Sequence, residues 1–291
     1  MRKTWTVSGF LLFSACGLAG PAAAANGADV RWSGAEPPGE PARGVRHSAH
    51  LRANVSSSER YVVKGVCESQ GIREISRILR RSAFEEMWVF LPRARGLQDC
   101  QWHEIGREER SDPDNAYLRA DMEYLEALMA DHTEIHVVHF HPLKYFECAA
   151  QAGCAQAAGQ TRPPDPRWVT DLVFSMPSPS DVHFMMDVTS RFHGRHQGRG
   201  TIRHKVVTPH GVVDYGLTDA GLAKFDSEKF GRSEGLYITW VMASKLANDH
   251  VEGVIKDHPG SLDNAVRRLA QTLNTEFLWV MHSTLEQAVA K

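Results

Sequence analysis

The stretch "EIHVVHFHPLKYFECAA", residues 134–150, decides how the rest of the chain is interpreted. It is an apolar, strand-like run with three histidines, and Pro142 follows the last of them. Side chains on a strand alternate between its two faces, so His139 and His141 point to one face and His136 to the other. A His-x-His pair on a strand can give a divalent metal two nitrogen ligands. The pattern predicts either a metal site or a buried strand that happens to be rich in histidine.

The N-terminal residues 1–25 have the three parts of a secretory signal. A basic start and a short apolar stretch precede "PAAAA", which offers a cleavage site after Ala25. The apolar stretch is shorter than the roughly 20 residues that span a membrane. We therefore expect a secreted or periplasmic protein whose mature chain has no membrane span. Lipidation at Cys16 is disfavoured because Phe13 stands where lipoprotein signals usually carry leucine.

Composition narrows the class of protein. With 42% hydrophobic and 23% charged residues, the chain resembles an ordinary globular protein. Its formal net charge of −2 and the absence of a Lys/Arg block argue against nucleic acid as a partner. Residues 26–57 are rich in Gly, Pro, Ala and Ser without apolar periodicity, which predicts a flexible leader.

The remaining chain alternates helix-like and strand-like segments without the regularity of a doubly wound sheet. Apolar spacing predicts a helix over residues 71–84, a buried strand over 85–92 and a second helix over 115–132. Two β-rich runs joined at "TPHG" predict a hairpin. Residues 261–289 are predicted to form one helix with Ser261 as its N-cap. The expected fold class is α+β (mixed α/β), with a central β-sheet flanked by helices.

The cysteines fall in two groups. Export would place Cys67, Cys100, Cys148 and Cys154 in an oxidising compartment, which favours two disulfides with three possible connectivities. Cys148 and Cys154 lie in a Gly/Pro/Gln/Ala-rich insertion, residues 143–167, and could close a local loop. Cys67 would then pair with Cys100.

The stretch "MPSPSD", residues 176–181, supplies the next polar side chains. Ser178 stands three residues before Asp181, and two prolines fix the turn. If Asp181 lies at the start of the following helix, its carboxylate can reach the end of the histidine strand. Three protein ligands and a water make an open, catalytic zinc site. The alternative is ordinary capping of the helix by Ser178 or Asp181.

"HFHP" followed by "PSPSD" resembles the His-x-His-Pro … Ser-x-x-Asp signature of the JAMM (MPN-plus, JAB domain) zinc metalloproteases. That family also has a glutamate at the start of a strand directly after its first helix, and this sequence has the same order. The resemblance covers roughly residues 62–218. It implies a JAMM-like domain over residues 58–218 and leaves a helical C-terminal extension over residues 219–291.

The resemblance also implies a division of roles. One Zn²⁺ would be bound by His139, His141 and Asp181, and Ser178 would stabilise the oxyanion. A glutamate would accept the proton of the zinc-bound water. The family places a leucine five residues after this glutamate; Glu86 has Leu91 there and Glu85 has Phe90, so Glu86 is preferred.

The implied function is hydrolysis of a peptide or isopeptide bond in a protein or peptide substrate. The family usually has Ser or Thr where Phe140 stands, and only a handful of residues where residues 142–177 separate His141 from Ser178. Two alternatives remain open. One is a catalytically inactive MPN-like interaction module, and the other is a periplasmic metal-binding protein that uses scattered histidines: His183, His193, His196 and His204.

Overall fold

The computed structural model describes residues 5–8, 62–79, 84–92, 100–109, 117–149, 167–224, 232–257 and 261–289. These residues form a nine-stranded, mostly antiparallel sheet with associated helices, which confirms the predicted mixed α/β class. The whole of the predicted leader, residues 26–57, and residues 150–166 of the insertion lie outside the described residues.

The strands are β1 (Trp5–Ser8), β2 (Val62–Lys64), β3 (Glu86–Leu91), β4 (Gln101–Glu109), β5 (Tyr117–Ala120), β6 (Glu134–Phe140), β7 (Thr201–Thr208), β8 (Gly211–Leu217) and β9 (Leu278–Ser283). The helices are α1 (Glu68–Leu79), α2 (Met122–Asp131), α3 (Trp168–Phe174), α4 (Pro179–His196), α5 (Asp219–Lys224), α6 (Arg232–Lys245), α7 (Asn248–Asp257), α8 (Leu262–Thr272) and α9 (Leu285–Val289). A short 3₁₀ turn, Leu143–Tyr145, follows β6.

The strands are ordered β1-β5-β4-β3-β6-β7-β8-β9, and β2 pairs with β4. Among the described strands, β6 and β7 form the one parallel pair, with β6 between β3 and β7. Parallel neighbours need a long crossover. Here the crossover contains the insertion, α3 and α4, so the chain returns to the end of β6 through the start of α4.

The two faces of the sheet at β3 and β6 are both covered, which is why these strands are buried along almost their whole length. On one face, called the α4 face here, α2 and α4 pack on inward residues of β3 and β6. The other face, called the α1 face, is covered by α1. The indole of Trp102 lies so close to Gly71 of α1 that an added Cβ would meet it at 2.3 Å.

The predicted helix over residues 261–289 is wrong in its second half. Helix α8 ends at Thr272, and β9 then pairs with β8. Asn274 explains the change, because its side chain donates to the carbonyl of Ala270 in the helix and accepts from the N–H of Val280 in the strand. The apolar run that suggested a helix face instead alternates inward and outward, with Leu278 and Val280 buried and Met281 exposed.

The predicted helix over residues 115–132 also begins later than expected. Tyr117–Ala120 forms β5, and α2 starts at Met122. Asp121 is the N-cap and accepts a hydrogen bond from the backbone N–H of Tyr124, 3.0 Å away. The predicted helix over 71–84, the strand over 85–92 and the β7–β8 hairpin agree in type with α1, β3 and the hairpin in the structure.

The predicted C-terminal extension packs on the core of the preceding chain. Buried residues of α6, α7 and α8 belong to one apolar cluster with residues of α3, α4, β7 and β8.

Strand β1 lies within the predicted signal segment and pairs with β5. Removal of residues 1–25 would make β5 an edge strand. No helix in the described part of the chain is both long and apolar enough to cross a membrane.

The cysteines follow the prediction only in part. Cys67 and Cys100 are both thiols, so the expected disulfide between them is not formed in this structure. The sulfur of Cys100 instead donates to the carbonyl of Pro92, 3.1 Å away, and Cys67 is exposed. Cys148 is in a disulfide. Cys154 lies outside the described residues, so the pairing of Cys148 with Cys154 stays a prediction.

Candidate metal centre

Strand β6 brings His139 and His141 together at its C-terminal end. Both are buried on the α4 face, with 3% and 6% of their surface exposed. Their ring centroids are 4.7 Å apart and the rings are perpendicular. His141 extends the parallel ladder, because its N–H donates to the carbonyl of Val207. The prediction that these two side chains lie on the same face of the strand is confirmed.

Glu85 lies directly opposite the two rings. Its Oε2 is 3.2 Å from His139 Nε2, and its Oε1 is 3.9 Å from His141 Nε2. One ligand atom from each of Glu85, His139 and His141 falls within 4.8 Å of the other two, so the group could hold a metal ion. Two imidazoles and a carboxylate are a common donor set for zinc.

The preference for Glu86 as the glutamate of the site is wrong on geometry. Glu86 pairs with Phe140 across β3 and β6, so its side chain shares the α1 face with Phe140, away from His139. It is fully buried there, where its Oε2 accepts from the indole N–H of Trp88 at 3.1 Å. Arg107 lies 3.5 Å from its other oxygen. The adjacent Glu85 therefore takes the position beside the histidines.

Ser178 and Asp181 form the capping box of α4, which confirms the capping interpretation. Ser178 Oγ accepts from the N–H of Asp181, and Asp181 Oδ2 accepts from the N–H of Ser178 at 2.8 Å. The remaining oxygen, Oδ1, lies 3.2 Å from His139 Nδ1. These two buried atoms are not aligned for a hydrogen bond, and each lacks another partner. Asp181 thus caps a helix and also contacts a ring of the centre.

A backbone carbonyl fixes the orientation of the His141 ring. Its Nδ1 lies 2.6 Å from the carbonyl oxygen of Phe174, at the end of α3. A carbonyl can only accept, so Nδ1 carries the proton and Nε2 presents its lone pair toward Glu85. Metal-binding histidines commonly donate their second N–H to a carbonyl or carboxylate in this way. The ring is therefore set for metal binding at Nε2.

The centre concentrates negative charge around His139. Burial would lower the pKa of His139, but the carboxylates of Asp181 and Glu85 outweigh burial and raise it to about 10. Burial would raise the pKa of Asp181, but His139 more than offsets this and lowers it to about 2. Burial and the charge of His139 lower the pKa of His141. Two carboxylates thus share one imidazolium, and the set favours a cation of higher charge.

The scattered histidines do not build a second centre in the described residues, where the one group able to hold a metal is Glu85, His139 and His141. His204 is buried and contacts Thr189. His196 contacts the carbonyl of Met129. His193 packs against the ring of Phe192.

Three residues next to the Glu85 backbone were not among the candidates from the sequence: Glu108, Lys144 and Tyr145. The carboxylate of Glu108 accepts from the backbone N–H of Glu85, and the side chains of Lys144 and Tyr145 both contact that carboxylate of Glu108. Lys144 and Tyr145 stand two and three residues after Pro142, the last residue of "HFHP", and this closeness is the one hint of their position in the sequence. Comparison of the chain with protein-family models, curated proteins and solved structures finds no match.

Proposed function

We propose that this chain is a zinc-dependent hydrolase of peptide or isopeptide bonds. The observation that carries the proposal is the group of partly buried Glu85 with the buried His139 and His141, beside the buried carboxylate of Asp181. Donor chemistry supports zinc, because neutral imidazole and carboxylate oxygen are its usual ligands besides thiolate. Asp181 Oδ1 lies 3.2 Å from His139 Nδ1, so this carboxylate adds negative charge beside the ring that would bind the cation.

Zinc, when bound, would lower the pKa of a coordinated water to about 7. The chain's own groups would do the rest. His139 and His141 would bind the zinc ion, and the Phe174 carbonyl would keep the proton of His141 on Nδ1. Glu85 places one oxygen near each ring, so it can accept a proton at Oε1 or Oε2 and return it to the leaving amine.

The roles of the two carboxylates can be divided in two ways. The resemblance to JAMM proteases implies Asp181 as the third ligand and a glutamate as the proton acceptor. The contacts also allow Glu85 as the third ligand, because both its oxygens face the Nε2 atoms while Asp181 faces Nδ1 of His139. In that case Asp181 would orient the ring, as second-sphere carboxylates commonly do.

Ser178 retains a role in either division. A serine hydroxyl offers one donor and two acceptor sites. The cap uses it as an acceptor toward the N–H of Asp181, which leaves the hydroxyl hydrogen to donate. A donor at this position would stabilise the oxyanion that forms when an amide carbonyl is attacked. We propose a peptide or protein chain as the substrate and a secreted or periplasmic location.

Metal removal and reconstitution test the proposal. We expect one zinc per chain, loss of hydrolysis of peptide and isopeptide reporters after chelation, and recovery on adding Zn²⁺. His141→Ala serves as the control and should not recover, because zinc loses a ligand. Stoichiometric zinc without hydrolysis would favour a metal-binding protein instead. Full hydrolysis by the metal-free protein would contradict the proposal outright.

A further inference from the structure

We propose that Glu108 is a positioning residue of this metal centre, which it connects to the turn after β6. The inference rests on the proposed function. The Glu108 side chain is 1% exposed although it is a carboxylate. Its Oε2 accepts from the backbone N–H of Glu85 at 3.0 Å and from the hydroxyl of Tyr145 at 2.7 Å. The ammonium of Lys144 lies 2.9 Å from Oε1.

A β-bulge turns Glu108 toward the centre. Residues three apart on a regular strand face opposite sides, yet Arg107 contacts both Glu104 and Glu86 on the α1 face. The register between β3 and β4 shifts at this point, pairing Met87 with Gly106 and Trp88 with Glu104, which leaves Ile105 without a partner in the register. Bulges re-aim side chains in this way next to active sites. Because Arg107 faces the α1 face, the next residue in the strand, Glu108, faces the α4 face, where Glu85 lies.

The groups that contact Glu108 all act as donors toward it, which suits a carboxylate. Three separate groups donate to it: one backbone N–H, one phenol and one ammonium. A buried carboxylate is tolerated when it is paired and fully hydrogen-bonded. Such charge-assisted bonds are about twice as strong as neutral ones, so they hold the backbone of Glu85 in one place.

Glu108 also reaches the second histidine through an aromatic pair. Tyr145, which donates to Glu108, stacks on Phe174 with ring centroids 5.1 Å apart and planes 17° apart. The carbonyl of that same Phe174 fixes the tautomer of His141. One carboxylate therefore restrains Glu85 directly and His141 through Tyr145 and Phe174. Loss of its charge should loosen both sides of the centre together.

The test compares Glu108→Gln with a matched control, Glu104→Gln. Both change a glutamate of β4, but Glu104 is paired with Arg107 on the other face. A glutamine amide would present N–H groups to neighbours that are themselves donors. We expect Glu108→Gln to weaken zinc affinity, measured by chelator competition, by about 10–100-fold. The visible absorption of the Co²⁺-loaded protein should also change, which a loss of stability alone would not cause.

Glu104→Gln should match the wild type in zinc affinity and in the cobalt spectrum. Unchanged affinity and spectrum in folded Glu108→Gln would overturn the inference. If that variant fails to fold, Tyr145→Phe decides: it removes one hydroxyl and should weaken zinc affinity by a smaller factor, and no change would overturn the inference. If the zinc-loaded wild type hydrolyses no reporter, weakened zinc affinity in Glu108→Gln would support the inference and the inactive wild type would contradict the proposed function. A wild type that binds no metal would contradict both.

Discussion

The two faces of β6 each bury histidines, but they treat them differently. On the α1 face, His136 Nδ1 lies 2.6 Å from Glu68, in the first turn of α1. On the α4 face, His139 Nδ1 lies 3.2 Å from Asp181, in the first turn of α4. In both cases a carboxylate at a helix start contacts a histidine of the same strand. The faces differ in what neutralises the carboxylates.

On the α1 face the chain supplies its own cation. Lys205 contacts both Glu68, at 3.4 Å, and Asp214, at 2.9 Å. On the α4 face, the contacts that the described residues make with Glu85 and Asp181 include no lysine or arginine side chain. The imidazolium of His139 is left between two carboxylates. One cation thus lies between two carboxylates on each face, a lysine on the α1 face and an imidazolium on the α4 face. Under the proposed function a metal ion would replace the charge of that imidazolium.

Substituting one histidine on each face gives the largest expected difference. His139→Ala should abolish stoichiometric zinc binding, an effect greater than the about 10–100-fold loss typical of outer partners. His136→Ala should keep the metal and lower the free energy of unfolding by about 1–3 kcal/mol, since it removes a partner of the partly buried Glu68. Metal analysis and denaturant unfolding measure the two quantities. Loss of zinc in His136→Ala would break the distinction between the faces.

The adjacent glutamates offer the next largest effect. Glu85→Gln should reduce turnover by about 10²–10⁴-fold, because it removes a group that can accept the proton. If Glu85 is a ligand, zinc affinity should fall as well, which separates the two divisions of roles. Glu86→Gln should keep zinc and turnover in the folded fraction, because Glu86 faces Trp88 and Arg107. Normal turnover in Glu85→Gln would remove it from the mechanism.

These glutamates show where prediction from sequence succeeds and fails. The two-residue period of a strand correctly placed His139 and His141 together, because alternation is a local property of the backbone. The choice between Glu85 and Glu86 depends on how β3 pairs with β6, and a shift of one residue reverses every side chain. That register is set by contacts distant in the chain, among them the pairing of Glu86 with Phe140.

The same limit applies beyond the centre. Residues 277–281 fit an apolar helix face and an alternating strand almost equally well, and the side chain of Asn274 decides for a strand. Glu108 was missed because a bulge at Ile105, which only the neighbouring Gly106 signals in the sequence, turns it toward Glu85. The cap by Ser178 was foreseeable, since Ser-x-x-Asp before an apolar run satisfies helix N–H groups locally.

The smallest predicted effect concerns His204, a third kind of buried histidine that contacts Thr189 of α4. Burial, with a smaller contribution from His136, lowers the pKa of His204 to about 3, so it stays neutral in the fold. In the unfolded chain a histidine titrates near 6.5. Below that pH the unfolded state binds a proton that the folded state refuses, so stability falls as the pH drops from about 6.5 to about 3.

At pH 5 this difference amounts to about 2 kcal/mol, from 1.36 kcal/mol per pH unit below 6.5. His204→Gln should therefore lose about that much less stability than the wild type between pH 7.5 and pH 5, measured by urea unfolding at each pH. His250→Gln, at an exposed position on α7, is the control and should retain the wild-type pH dependence. If His204→Gln also retains it, the acid sensitivity must come from other buried groups. His103, whose pKa burial lowers to about 4, would then be the next residue to substitute.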